Sequence, residues 1–226
     1  MSLIGGGPTA ARDELAALLN TMWRVLGREH PDTLSTRSEL AQLTGEAGDA
    51  VAAHSEFAAL VPVMERVLGQ EHPDTLTARG KLARWTGEAG DPVGARNQFA
   101  ALLQLRVRLL GPEHPRTLAV GSSLAHWTGR TGDQAGAADI CARMLPVYEQ
   151  VFGAEHPKTL NLRADLASWT GEAGDAAEAC DQYTELLAVS ERVLGPDHPD
   201  TLAVRQSLRF WSGQAGRRQR RWSRRK

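Results

Sequence analysis

A chain of 226 residues, 42% apolar and 5% aromatic, is long enough for one or two globular domains or for a single repeat array. Its formal charge of −1 hides an asymmetry: the last ten residues, 217–226, carry seven basic side chains and no acidic one, which leaves a body of −8. No apolar run approaches the roughly 18 residues of a membrane span. The opening Met-Ser-Leu-Ile-Gly-Gly-Gly lacks the basic and apolar regions of a signal peptide, so the expected compartment is cytoplasmic.

In chain order, residues 1–8 are expected to be disordered, and a helical pattern follows over 9–26. From there the dipeptide His-Pro sets the frame. It stands at His30-Pro31, His72-Pro73, His114-Pro115, His156-Pro157 and His198-Pro199, at intervals of 42 residues. A fixed period of this size is the mark of a solenoid rather than a globular enzyme. Residues 73–114 show the unit. Pro73-Asp74-Thr75 opens a helix A, with proline where no N–H is needed and an acid in the first turn. Leu76, Leu82, Ala83 and Trp85 follow on one stripe. Gly87 and Gly90 are expected to end helix A, and Asp91 to cap a helix B running from about Pro92 to Leu110. Ala95, Phe99, Leu102, Leu103 and Leu110 supply the apolar face of that helix.

The same order recurs. Leu-Ala pairs stand at 40–41, 82–83, 124–125 and 166–167, and Gly-Glu-Ala-Gly-Asp turns at 45–49, 87–91 and 171–175. Residues 9–26 align with helix B and residues 200–212 with helix A. The array expected over 9–216 therefore holds a half-repeat B, four A–B repeats and a terminal helix A, ten helices in all, followed by a basic tail at 217–226. Pro62 and Pro146 fall inside two B helices and predict a kink or break near Val61 and Leu145. Cys141 and Cys180 sit one helical turn out of register on successive B helices, which predicts two reduced, buried thiols rather than a disulfide.

These residues resemble a tetratricopeptide repeat (TPR) of the 42-residue, kinesin-light-chain-like type. The likeness rests on Leu-Gly-x-Glu-His-Pro-Asp-Thr-Leu at 68–76, Leu82-Ala83, Gly90, Ala95 and Phe99. It implies an all-α fold, a right-handed α-solenoid or TPR superhelix of antiparallel helix pairs. Its concave face, lined by helix A, would hold a peptide or protein partner. The paired asparagines that such repeats tend to carry before Leu-Ala are absent here, so the family's ligand preference is not carried over.

The wheel positions of helix A opposite the packing stripe vary between repeats. They give a candidate peptide-binding groove of Ser38, Glu39, Gln42, Lys81, Arg84, Ser122, Ser123, His126, Asn161, Asp165, Ser168, Gln206 and Phe210. Other repeating series read as structural. One zinc ion binds nitrogens at about 2.0–2.1 Å, whereas repeats stack roughly 10 Å apart, so the five histidines are expected to cap or pack, not to ligate a metal. Trp85, Trp127, Trp169 and Trp211 are expected to pack between repeats. Arg37, Arg79, Arg163 and Arg205, a series interrupted by Gly121, are expected to reach the last carbonyls of a neighbouring helix B. No paired nucleophile, acid and base emerges. The expectation is a non-enzymatic binding scaffold without cofactor or metal. Two alternatives are self-association through the terminal half-repeats and nucleic-acid contact through the basic tail.

Overall fold

The computed structural model describes residues 8–223. The expected disordered segment lies outside them except for Pro8, as do the last three residues of the basic tail. Ten helices and no strand form among the described residues. They are α1 (Pro8–Val25), α2 (Pro31–Glu46), α3 (Ala50–Val67), α4 (Pro73–Glu88), α5 (Pro92–Leu110), α6 (Pro115–Arg130), α7 (Gln134–Phe152), α8 (Pro157–Glu172), α9 (Ala176–Val193) and α10 (Pro199–Ser223). Even-numbered helices are helix A and odd-numbered ones helix B. Residues 1–105 and 106–226 form two compact units, with α5 crossing the division. Within unit 1, α1 packs on α2, α2 on α3 and α3 on α4; within unit 2 the same succession runs from α6 to α10. In both units A helices of adjacent repeats also meet, α2 with α4 and α8 with α10. The chain is thus an all-α helical repeat in which, within each unit, successive helices pack on one another.

The His-Pro dipeptide builds the start of every helix A. The residue before proline is pushed to extended backbone, and His72 has φ −62° and ψ 138°. That is the geometry an N-cap needs. Its Nδ1 accepts from the N–H of Asp74 at 3.2 Å, and His30, His114, His156 and His198 do the same for the residue two positions on. Imidazole here does the work usually given to a serine or aspartate oxygen. The threonine that follows is buried in all five copies, and in four its hydroxyl donates to a carbonyl 11 residues earlier, near the end of the preceding helix B. At the other turn Asp49, Asp91, Asp133 and Asp175 cap helix B by accepting from the N–H three residues on.

Left-handed glycines close both kinds of turn. They fall at 27, 48, 69, 90, 111, 132, 153, 174 and 195, every 21 residues, so the 42-residue period divides into two equal halves. Only glycine enters this region without a Cβ penalty. The first glycine of each Gly-x-x-Gly-Asp turn behaves differently from expectation. Gly45, Gly87, Gly129 and Gly171 lie inside helix A, one residue short of its end. A Cβ at Gly171 would lie 2.6 Å from ring carbons of Trp211, and one at Gly45 or Gly129 would enter the rings of Trp85 or Trp169. The bare helix surface at these three glycines is the seat for the next repeat's indole, and this places Trp85, Trp169 and Trp211 between repeats.

Two expectations about helix B are corrected. The expected break does not occur: α3 and α7 continue as helix through Pro62 and Pro146. Both prolines are exposed, and buried Leu60, Val61 and Met64 on one helix, Cys141 and Tyr148 on the other, hold the turns either side. Packing on one face thus outweighs the single missing hydrogen bond on the other. The two cysteines are free, but only Cys141 is buried; the Cys180 sulfur lies half-buried, 3.2 Å from the Ser212 hydroxyl. One helical turn of register separates an inward position from a rim position.

The arginine series also finds other partners than carbonyls. Arg79, Arg163 and Arg205 pair with Glu65, Glu149 and Glu191, each 14 residues earlier on the preceding helix B. Where Gly121 interrupts the series, Val107 occupies the glutamate's place, so both members of the pair are lost together. A carboxylate within reach is a better partner for guanidinium than a helix-end carbonyl already in a turn.

Candidate functional site

In unit 1 the expected groove residues are partly absorbed into the frame. Gln42 accepts from the Trp85 indole N–H at 3.1 Å and donates to Glu46 at 2.6 Å. Ser38 is buried and accepts from the Lys81 amine at 3.4 Å. That amine also lies 5.8 Å from the Phe57 ring centroid, and burial lowers its pKa against the opposing pull of Glu39 and Glu46. Glu39 and Arg84 are exposed, with the Arg84 guanidinium 4.8 Å over Trp85. Of the five, these two alone keep their charges on an open surface.

In unit 2 some of the expected residues, Ser122, Asp165 and Ser168, interact with two tyrosines, Tyr148 and Tyr183. Tyr148 donates to the Leu118 carbonyl at 3.2 Å, so the 2.7 Å contact with Ser122 is made by the serine hydroxyl donating. Ser123 donates to the Ala119 carbonyl. Exposed His126 meets Trp127 and Trp169 edge-on at 5.1 and 6.3 Å. One repeat further along, Tyr183 rises from α9 between α8 and α10. Its hydroxyl donates to the Ala164 carbonyl at 2.9 Å and interacts with Ser168 and Ser207. A cavity of about 120 Å³ opens there, with Leu160, Val204 and Leu194 as apolar floor and Asn161, Ser207 and Asp200 as polar wall. Gln206 and Phe210 are exposed further along α10, the phenyl ring edge-on to Trp211 at 4.9 Å. The chain signalled Tyr183 by a hydroxyl added at a register where Phe57 and Phe99 stand.

Asp165 sits beside this valley and is its most perturbed acid. The residue has exposed surface, yet the walls around it withdraw water from the carboxylate and push its pKa up to about 6. Its charge in turn raises the pKa values of Tyr183, Tyr148 and Cys141, the last to about 12, with burial the larger cause in each. Because the folded pKa lies above the ordinary value of 3.8, the folded state holds the proton more tightly, and stability falls as pH rises from about 4 to about 6. Asp165→Asn therefore raises the thermal midpoint at pH 7 and leaves it unchanged near pH 3.5, which thermal unfolding at the two pH values checks.

Among the described residues no group of three or more histidine, cysteine, aspartate or glutamate side chains is placed to hold a metal, and no helix is long and apolar enough to cross a membrane. The geometry is that of a valley with polar and apolar walls between α8 and α10. Stacked helix pairs with a constant frame and a variable A face define a helical-repeat scaffold. Residues 33–74, 75–116, 117–158 and 159–200 each match the tetratricopeptide repeat model, and the chain belongs to that family. Similar solved structures include a putative kinesin light chain of nearly identical TPR-like repeats from Podosopora anserina. It is 24% identical, with TM-score 0.73, covering 83% of this chain and 89% of that one. A glutamine-to-methionine variant of the same protein gives 0.74, also at 24% identity, over 83% and 88%. BtubC (BKLC) from P. vanneervenii is 16% identical, with TM-score 0.75 over 93% of this chain and 85% of that one. These likenesses show the fold. No curated protein matches the sequence.

Proposed function

We propose that this chain is a non-enzymatic interaction scaffold that holds an extended protein segment against its A helices, and that the valley between α8 and α10 is a principal contact. The observation that carries this reading is the arrangement around Tyr183, an apolar floor with a few convergent polar groups, which is the general make-up of a ligand site. The valley's charge is one-sided. Asp200 lines it, Asp165 and Glu172 lie close enough to act on Tyr183, and no basic side chain is in the cavity wall. The segment it fits is accordingly one with a lysine or arginine flanked by small apolar residues.

A random 12-residue peptide library displayed on phage and selected on the full chain tests this. Basic sequences should be enriched. A selected peptide should lose at least tenfold in affinity on Ser207→Trp, which fills the cavity, and should weaken as pH falls through about 6, where Asp165 takes up its proton. Equal affinity for the wild type and for a Ser207→Trp protein of unchanged helicity would remove the valley from consideration.

A further inference from the structure

A second kind of valley, in which two B helices flank a helix A, opens in each unit. In unit 2 the valley between α7, α8 and α9 is about 290 Å³, and its arginine is closed off: Arg163 donates to Glu149 at 2.6 Å. The equivalent valley of unit 1, between α1, α2 and α3, is about 550 Å³ and is built differently. Trp23 stands where Glu65, Glu149 and Glu191 stand in other repeats. Deprived of that partner, Arg37 turns across to Glu56 on α3 at 3.1 Å; the matching positions there are Gln98, Ile140 and Gln182. Two further arginines line the same cavity. Arg28 holds its guanidinium 5.0 Å over the Trp23 ring, and Arg12 contacts only its exposed sequence neighbour Asp13, at 3.4 Å, among its described partners. The corresponding residues in unit 2 are Ala154 and Pro196 for Arg28, Ala138 and Cys180 for Arg12.

The lining thus carries three guanidiniums against one carboxylate, in a body whose formal charge is −8. Leu19, Leu40 and Ala41 give it an apolar floor, and the indole with its stacked arginine gives a planar wall. We propose that this valley is a binding site for a small organic anion with an aromatic body and a phosphate or carboxylate group. The ring would lie against Trp23 and Leu19, and the acid between Arg12 and Arg28, which suit planar oxyanions through paired N–H donors. Arg37, already held by Glu56, would supply longer-range attraction.

Isothermal titration of the full chain with phenyl phosphate, phthalate and inorganic phosphate tests the site, with the Trp23 indole resonance followed by NMR. Phenyl phosphate or phthalate should bind and shift that resonance, the better of the two identifying the acid. Inorganic phosphate should bind at least tenfold more weakly. Trp23→Glu restores the side chain found in other repeats, so it should fold normally and lose the organic anion at least tenfold. Arg12→Ala, which leaves the indole in place, should weaken binding about five- to tenfold and shrink the indole shift. Affinity retained in Trp23→Glu would place the anion away from this valley and overturn the proposal. So would failure of both organic anions to bind wild type, or equal affinity for inorganic phosphate.

Discussion

Gly45→Ala destabilises the protein by about 1–3 kcal/mol, although alanine is the better helix former by roughly 0.5–1 kcal/mol at an ordinary interior position. The reason lies in the next repeat. A methyl at residue 45 occupies space filled by the Trp85 indole, which is 3% exposed and pinned by Gln42. Trp85→Ala by itself costs about 3–5 kcal/mol, because it removes a buried aromatic and leaves a cavity. The two changes are coupled: in the Trp85→Ala background, Gly45→Ala becomes neutral or stabilising by about 0.5–1 kcal/mol. Chemical denaturation of the four proteins measures the cycle. Additive losses would show that indole and glycine do not share one space, and the account of how repeats are registered would fail.

Phe57→Ala costs about 3–5 kcal/mol, whereas Cys141→Ala at the matching position costs only about 1 kcal/mol. Both residues are sealed from solvent. The difference is in what surrounds them. Phe57 fills its layer together with Leu34, Leu60 and Met64. Around Cys141 the volume is supplied by Tyr148, Met144 and Ile140, and Met144 occupies the place a side chain at Gly121 would take. The repeat containing Cys141 has exchanged one large plug for several displaced ones. Equilibrium unfolding of the two variants distinguishes them, and equal losses would contradict this division of volume.

Much of the frame was legible because it is periodic. The His-Pro spacing gave the helix A starts, aspartate before helix B gave its caps, and the bounds read for α5 coincide with the helix found. What escaped depends on a neighbour rather than on the local chain. Gly45, the first glycine of its turn, reads as a stop signal from sequence, because glycine ends helices far more often than it seats an indole from the next repeat. Pro62 reads as a kink or break, and the break fails because a helical wheel does not weigh buried Leu60, Val61 and Met64 on the opposite face against one missing hydrogen bond. The arginine series gave its positions but not its partners, although the glutamates 14 residues earlier share its period and its interruption at Gly121.

The candidate site was legible in direction only. A wheel places Ser38, Gln42 and Lys81 on an outward face, yet it does not register that Trp85 and Lys81 reach 43 residues back to occupy two of them. In the other direction, the register shared with Phe57 and Phe99 marks Tyr183 as core and gives no hint that its hydroxyl meets Ser168, Ser207 and the Ala164 carbonyl. Variation along one face shows where a surface is free to differ. Which part of it is concave and polar follows only from the packed helices.

The central claim, that the valley between α8 and α10 receives a protein segment, is tested most directly by site-specific photo-crosslinking. A benzophenone amino acid is introduced in place of Asn161 at the valley wall, and separately in place of Glu185, which lines the other valley of unit 2. With a peptide selected on the full chain, the account predicts a covalent adduct from position 161 that excess unlabelled peptide suppresses, and none from position 185. An adduct from 185 in the absence of one from 161 would contradict it.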